Sequence, residues 1–498
     1  MRKLKLLLLI VWLFSPFFLI AQQGFLKLFD NSPEDSAVFL DILNDNDTLV
    51  FYALTYDSNN VQGIGFYQID TFGNVLNKNI IIDTSRTLTT SSEYRKKIIK
   101  TNDQHYAILG NSSDHTFFLK VNKDLEQVSL VTYDSDTYIA NASLIQMDDG
   151  FFVLITKTTP LNSFAYNVLL IRTDQNGQEL WRKEYGTNEF AEAPIGITKA
   201  NDNEYIISGV FLGYPDWDAP FWPQTEWESS YLLAVDTFGN QLWEWHSDTT
   251  EARGALTNLL ILEDSSLLCI GTTWEFNAQY GEYQTHPLIM RLDKNHNIIW
   301  EKLFGTLGPL HSFLDLEPTP DGHFLASGYA NLEDYETYPR GIHHKFDIDG
   351  HRIWQRRDSI YPNSWTVIRG SEILSSGSII SIGYSSGGPY GATGILIKLT
   401  PDGCIDTLNC FPMVGITPTK QPENIHIYPN PTLDELRLEF KGSLRKRIKI
   451  YDSLGRIVKD FRSETEPTNI DVHNLVPGLY HIEVLTLKGR YTEQFIKS

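Results

Sequence analysis

The chain has 498 residues, 42% apolar and 21% charged, a balance that excludes both a disordered chain and a membrane-embedded one. Acids outnumber bases 62 to 41, and the excess sits in residues 22–419, with 25 Lys/Arg against 51 Asp/Glu, whereas residues 420–498 hold 13 bases and 11 acids. So acidic a body repels phosphate, which argues against nucleic acid and anionic membrane surfaces as partners.

At the N-terminus, Arg2, Lys3 and Lys5 precede an apolar run from Leu6 to Ala21, broken only by Ser15 and Pro16. A basic start followed by an apolar stretch too short to span a bilayer is the layout of a signal peptide, with the cut expected after Ala21. Only three cysteines follow, so disulfides do not hold the fold together. Cys404 and Cys410 are close enough in sequence to pair in an oxidising compartment, and Cys269, inside Leu267–Ile270, reads as core.

Aromatic residues at 12% and 34 glycines favour short strands and tight turns over helices. One phrase, apolar-apolar-x-apolar-Asp-x-x-Gly-x-x-x-Trp, recurs from Leu170 to Trp181, Leu232 to Trp243, Ile289 to Trp300 and His343 to Trp354. Weaker copies begin at Phe66, Phe118 and Leu396, so the positions equivalent to Asp are Asp70, Asn122, Asp174, Asp236, Asp293, Asp347 and Thr400, spaced 52 to 62 residues apart. A β-rich run, most often ending in Gly, precedes each copy, as in Leu267–Gly271 and Phe324–Gly328. Each unit therefore offers four short strands, with Asp-x-x-Gly as the hairpin turn between the last two. Seven such units predict an all-β, seven-bladed β-propeller over 22–411, an architecture that leaves only short sheet edges. The segment Phe25–Phe29 matches the outer strand beginning at Trp300 yet has no inner strands before it, so it is expected to complete the seventh blade.

Strand order puts both tight turns of every blade on one face and the connections between second and third strands on the other. Three of these connections, Leu212–Ser230, Thr272–Pro287 and Tyr329–Arg340, are long and consecutive. They carry the candidate ligand-binding residues Trp217, Trp222, Trp227, Trp274, Tyr280 and Tyr335, with Asp216, Asp218 and Glu226 among them. Aromatic rings beside carboxylates suit a sugar or a protein surface, and equally suit packing among the loops themselves.

Catalytic signatures are sparse in the sequence: no His-Glu-x-x-His or phosphate-cradling glycine loop occurs. Asp216 with Glu226 offers an acid and base for glycan hydrolysis, but sequence does not fix their separation. The Asn/Asp turns at Asn44–Asp47, Asp293–Asn297 and Asp347–Gly350 look like the starts of calcium loops without the completing Glu, so turn chemistry explains them and no metal or cofactor is expected. His343 and His344 are neighbours on a strand and point to opposite faces, which prevents them from sharing a metal.

After the Pro-rich stretch 412–424, alternating apolar positions (Leu436, Leu438, Phe440, then Ile448 and Ile450) mark half-buried strands of a small sandwich over 425–498. This segment contains Tyr428-Pro429-Asn430-Pro431-Thr432, Tyr451-Asp452-x-x-Gly455, Leu475-x-x-Gly478-x-Tyr480 and a terminal Phe495-Ile496-Lys497. It resembles the type A C-terminal sorting domain of the type IX secretion system of Bacteroidetes. The resemblance implies an immunoglobulin-like sandwich in which Pro429, Asn430, Pro431, Gly455, Gly478 and Tyr480 belong to the sorting motif. It further implies passage through the outer membrane, contact with the secretion machinery, and removal of the domain by a sortase-like peptidase around 412–427. The expected product is a secreted or outer-membrane-attached propeller that binds extracellular protein or glycan, the alternative being an extracellular glycan hydrolase.

Overall fold

The structure is a computed structural model that describes residues 24–405 and 425–497, apart from short interruptions between strands. The expected leader, 1–21, and the expected linker, 412–424, lie outside the described residues. The chain divides into two compact units, Met1–Cys410 and Phe411–Ser498.

Among the described residues, the first unit holds seven four-stranded antiparallel sheets and one two-stranded hairpin. Blade 1 runs Val38–Asp45, Thr48–Tyr56, Gln62–Ile69 and Val75–Ile81 in spatial order. Blades 2 to 6 repeat that order from first strands at Ile99–Lys100, Ile139–Met147, Ala191–Asn201, Gly254–Ile261 and Ser312–Pro318. Blade 7 takes three strands from Thr366–Ile373, Ile379–Gly388 and Gly391–Leu399, and its fourth is Phe25–Phe29. That strand lies antiparallel to the third, from Phe25 opposite Lys398 to Phe29 opposite Gly394, as the sequence led us to expect. First strands pack on the next sheet all the way round, and blade 1 packs on blade 7, closing the ring of a seven-bladed propeller.

The core lies between blades rather than within them. Each apolar cluster draws on two neighbouring sheets: Leu268, Ile270 and Ile289 of blade 5 pack with Phe313, Leu316 and Ile342 of blade 6. Phe39 and Phe51 of blade 1 pack with Ile380, Ile382 and Leu396 of blade 7. Middle strands are covered on both sides, which is why Phe324–Ala330 is buried throughout while the outer strand Arg352–Asp358 is only partly so.

The glycine that ends most second strands has a specific cause. In blades 4 to 7 the first strand carries a bulge directly opposite it: register shifts follow the pairs Pro194–Gly209, Leu256–Gly271, Phe313–Gly328 and Ile368–Gly383. A Cβ at any of the four would fall onto a carbonyl oxygen of the bulging strand. Where the bulging backbone comes this close, glycine is the residue that leaves room for it.

The Asp-x-x-Gly phrase forms the turn between third and fourth strands. Asp70 Oδ1 accepts the amides of Phe72 and Asn74 at 2.9 and 2.8 Å, and Gly73 takes φ +72° while donating to the Asp70 carbonyl. Asp174, Asp236 and Asp347 do the same, Asp293 does so with His296 in place of the glycine at φ +64°, and Asn122 and Thr400 fill the role with an amide and a hydroxyl oxygen.

The second unit is a sandwich of a three-stranded sheet (Ile425–Tyr428, Glu435–Phe440, Thr468–Asp471) and a four-stranded one ordered Ile457–Ser463, Lys446–Tyr451, Gly478–Thr486, Gly489–Lys497. Leu436, Leu438, Ile448, Ile450, Ile482 and Phe495 fill the space between them, each fully buried and each worth roughly 1.5–3 kcal/mol.

Candidate functional site

The propeller presents two unlike faces. On one, the turn joining first and second strands is tied to the third strand by ion pairs between a buried lysine and an exposed carboxylate: Lys120 to Asp103 at 2.6 Å and Lys345 to Asp321 at 2.7 Å. Burial alone would raise the Asp321 carboxyl, but Lys345, Thr319 and His323 outweigh it and hold the group well below its ordinary value. Lys120 also reaches the carbonyl of Gln175 in the next blade at 2.9 Å, and Lys398 reaches Thr71 at 2.9 Å. This is a face of short, pinned turns.

A cavity of about 770 Å³ opens on it where the first turns of blades 6, 7 and 1 meet, lined by Asn44, Asp47, Thr319, Pro320, Leu374 and Ser375 among others. Its polar groups are largely committed to the closing seam: Ser375 Oγ donates to Asp47 at 2.6 Å and Asn44 Nδ2 to the Ile373 carbonyl at 3.2 Å. The acidic turns are similarly occupied. Asp293 and Asp347 each accept two backbone amides, and His351 donates its own amide to Asp347 Oδ1 at 2.8 Å. Asp347, Asp349 and His351 have ligand atoms within 4.8 Å of one another, but Asp347 is already bonded as its counterparts are in other blades.

The opposite face carries raised arms. In blade 5 the second and third strands, Leu267–Asn277 and Glu282–Leu292, stay paired to Asn277 opposite Glu282, which places Trp274 opposite Thr285. In blade 4, Pro215–Asp216 pairs with Gln224–Thr225 in a separate hairpin beyond the sheet. Blade 3 adds an arm that sequence spacing did not flag, because Gly150–Thr159 and Asn162–Asp174 continue as strand instead of giving way to loop. Asp216 and Trp274 are thus placed on two neighbouring arms. Trp217, Trp222, Trp227, Tyr280, Tyr335, Asp218 and Glu226 lie outside the described residues.

Beside these arms, the inner ends of blades 6 and 7 hold an aromatic group that sequence reading missed. Tyr329, Leu314 and Val367 form a small buried cluster against which the partly buried Trp365 and Tyr384 pack, with the Arg369 guanidinium 5.4 Å from the Tyr384 ring centre. No spacing rule joins these residues; only strand order brings Trp365 and Tyr384 to one end of the same blade.

Sequence reading also missed a Ser–His–Asp chain. Ser381 Oγ lies 2.9 Å from His343 Nε2, and His343 Nδ1 lies 3.3 Å from Asp358 Oδ2. The order of atoms is that of a hydrolase triad, but Ser381 and His343 are fully buried and Asp358 nearly so. Ser381 Oγ is further tied to Ser371, which donates to Ser327. Sealed between blades 6 and 7, the chain joins sheets and has no space for a substrate carbonyl. Its neighbour His344 turns the other way, into the rings of Phe304, Phe313 and Phe346.

Cys404 is disulfide-bonded at the exit of blade 7, Cys410 lies outside the described residues, and Cys269 is a buried free thiol pushed up to about 12 by burial.

In the sandwich, the segments named in the sequence meet. Asn430 donates to the Gln494 carbonyl and accepts from the Ile496 amide, both at 2.9 Å, and the Thr432 amide donates to the Ile496 carbonyl at 2.8 Å. Pro429 and Pro431 flank this clasp, exposed to solvent and unable to donate a backbone hydrogen bond. Tyr480 stacks on Phe495 at 5.4 Å and donates its hydroxyl to the Val476 carbonyl at 2.8 Å, the corner bond common in immunoglobulin-like sandwiches. Gly478 opens the strand before the last, and Gly455 lies outside the described residues.

Among curated proteins none matches the sequence. Similar solved structures include Drosophila Plexin A in complex with Semaphorin 1b (10% identity, 76% of this chain and 88% of that one, TM-score 0.40). Others are the subtype N10 neuraminidase-like protein of A/little yellow-shouldered bat/Guatemala/060/2010 (10%, 75% and 99%, TM-score 0.35) and the polysaccharide lyase Uly1 (10%, 77% and 98%, TM-score 0.42). Residues 426–498 match the family described as "Secretion system C-terminal sorting domain". The second unit of this protein is therefore a type IX C-terminal sorting domain, and it marks the protein for secretion and the cell surface.

Proposed function

We propose that the propeller is a non-enzymatic binding module for extracellular protein or glycan, delivered by its sorting domain. The observation that carries this reading is the contrast between faces: arms on blades 3, 4 and 5 rise from one face, while the other is closed by pinned turns. An aromatic arm residue, Trp274, and the acidic Asp216 stand on neighbouring blades there, and flat rings beside acids are the chemistry that holds sugar or protein surfaces. The leader at 1–21 would take the chain to the periplasm, and a sortase-like peptidase would remove the sorting domain near 412–427. Glycan hydrolysis through Asp216 and Glu226 remains the alternative.

Substituting Trp217, Trp222 and Trp274 together with Ala is expected to abolish capture on a glycan and surface-protein array with an unchanged melting temperature. Full capture by the triple variant would end the binding reading. Product release from an array glycan, lost in Asp216→Asn, would replace it with hydrolysis.

A further inference from the structure

The arm of blade 5 outruns its own inner strand. Gly254–Ile261 accompanies Leu267–Asn277 only as far as Gly254 opposite Thr273, whereas the pairing with Glu282–Leu292 continues to Asn277. Past Thr273 the arm is a two-stranded ribbon, which is marginally stable unless something packs on it. At its foot stands a residue of the next blade: His311, buried, just ahead of the inner strand Ser312–Pro318.

His311 meets both strands of the arm and the neighbouring connection. Its amide donates to Thr285 Oγ1 on the returning strand, directly opposite Trp274. Its carbonyl accepts the Thr272 hydroxyl of the rising strand at 2.6 Å. Its ring Nε2 accepts the Asn331 amide at 3.2 Å, where Phe324–Ala330 ends and the long connection of blade 6 begins. With Nε2 as acceptor, the ring hydrogen sits on Nδ1. His311, Thr272, Thr285 and Asn331 are all buried, so water does not replace these bonds when they are lost.

The position has a counterpart. His311 stands three residues before the bulge of its inner strand, and in blade 4 that place is held by Glu192. Glu192 is buried as well, and a Cβ on Gly186 would lie 2.8 Å from its Oε2 and 2.6 Å from Asn167 Oδ1, which puts the carboxylate beside the third strand of the blade 3 arm. The same place in blades 1, 3, 5 and 7 holds Ala37, Ile139, Gly254 and Thr366. The longer polar side chains thus follow the arms of blades 3 and 5.

We infer that His311 is the positioning residue of the arm face: it sets the foot of the blade 5 arm and couples it to the start of the blade 6 connection, so that the two are presented as one preformed unit. The inference rests on reading this face as the binding face and specifies what sets its shape.

The test is hydrogen–deuterium exchange of the full chain, read at the Asn331 amide and over residues 272–286, each end being read when the other is cut. His311→Leu removes the acceptor of Asn331 and is expected to speed exchange there by about fivefold or more, and over 272–286 by about twofold or more. Thr272→Val with Thr285→Val cuts the arm side and is expected to give the converse, with Asn331 accelerated by about twofold or more. His311→Gln, which keeps an acceptor at the end of the side chain, is expected to restore parental exchange; a space-filling role would be served as well by Leu. Variants that each change only their own end would overturn the coupling. If His311→Leu has no cooperative melting transition, the threonine double variant decides by the same crossing. On the glycan and surface-protein array, capture should fall with His311→Leu and return with His311→Gln. Parental capture by a variant whose arm exchanges faster would overturn the positioning role, whereas a parent that captures nothing ends the binding reading and leaves exchange to decide the coupling.

Discussion

The indole edge of Trp300, on the outer strand of blade 5, lies 2.9 Å from where a Cβ on Gly350, in the turn of blade 6, would stand. The same relationship joins Trp181 to Gly239 at 2.6 Å, Trp354 to Gly403 at 2.9 Å and, across the closing seam, Phe25 to Gly73 at 2.7 Å. Trp243 stacks instead on His296 at 3.9 Å, and that residue holds the left-handed conformation glycine has elsewhere. Two residues after the aromatic, Lys302 and Lys27 lie over their rings at 5.4 and 5.3 Å and donate to the next turn at Asp349 and Gly73. The repeated phrase is thus half of a latch: glycine receives the aromatic of the preceding blade, and tryptophan seats on the glycine of the next.

Gly350→Ala is expected to lose about 1–2 kcal/mol from its φ of +70° alone, plus the displacement of Trp300. The two effects separate in a double-mutant cycle by urea denaturation. Gly350→Ala should cost at least about 0.5 kcal/mol less when Trp300 is already Ala. Strict additivity would mean that the ring and the turn do not depend on each other.

The buried His344 makes stability pH-dependent in a defined direction. Burial, helped by the nearby Arg352 charge, lowers its pKa from 6.5 to about 3, so the unfolded chain binds this proton at higher pH than the folded one. Stability is complete above about 6.5 and falls as pH drops toward 3, by up to about 1.4 kcal/mol per unit. His344→Phe should flatten the urea midpoint between pH 7 and 5 by that one proton's worth, whatever constant offset the substitution adds. An unchanged slope would show that the imidazole is not kept neutral by its cage of rings.

Asn430 uses both ends of its amide on the edge of the terminal strand. Asn430→Asp keeps the acceptor for Ile496 and loses the donor to Gln494, a cost of about 0.5–1.5 kcal/mol to the sandwich. The amide of Ile496 should exchange with deuterium faster in Asn430→Ala than in the parent, while core amides such as Ile450 change less. Equal protection at Ile496 would show the clasp to be dispensable.

Ring, strand order and closing segment were legible in the sequence because each rests on a local rule repeated many times. Asp70 and its counterparts need a turn at fixed spacing, and Phe25–Phe29 lacked any sheet of its own. The sorting segments were legible too, since Tyr428–Thr432 and Leu475–Tyr480 are distinctive. What escaped was whatever depends on contact between blades. Ser381, His343 and Asp358 lie on three strands with no spacing rule between them. The blade 3 arm escaped because Thr159 and Asn162 end one long hairpin, and residue types alone do not tell a prolonged strand from a loop. The aromatic loop residues were read from composition, and of these only Trp274 gains a defined register.

The closed ring is tested most directly at the strand that closes it. Lys27 stands opposite Leu396 across the first and last segments of the propeller. Lys27→Cys with Leu396→Cys should form an intramolecular disulfide under mild oxidation, visible as faster migration on a non-reducing gel, with a higher melting temperature than the reduced form. Two free thiols under the same conditions, or crosslinking only between separate molecules, would mean that Phe25–Phe29 does not complete the seventh blade.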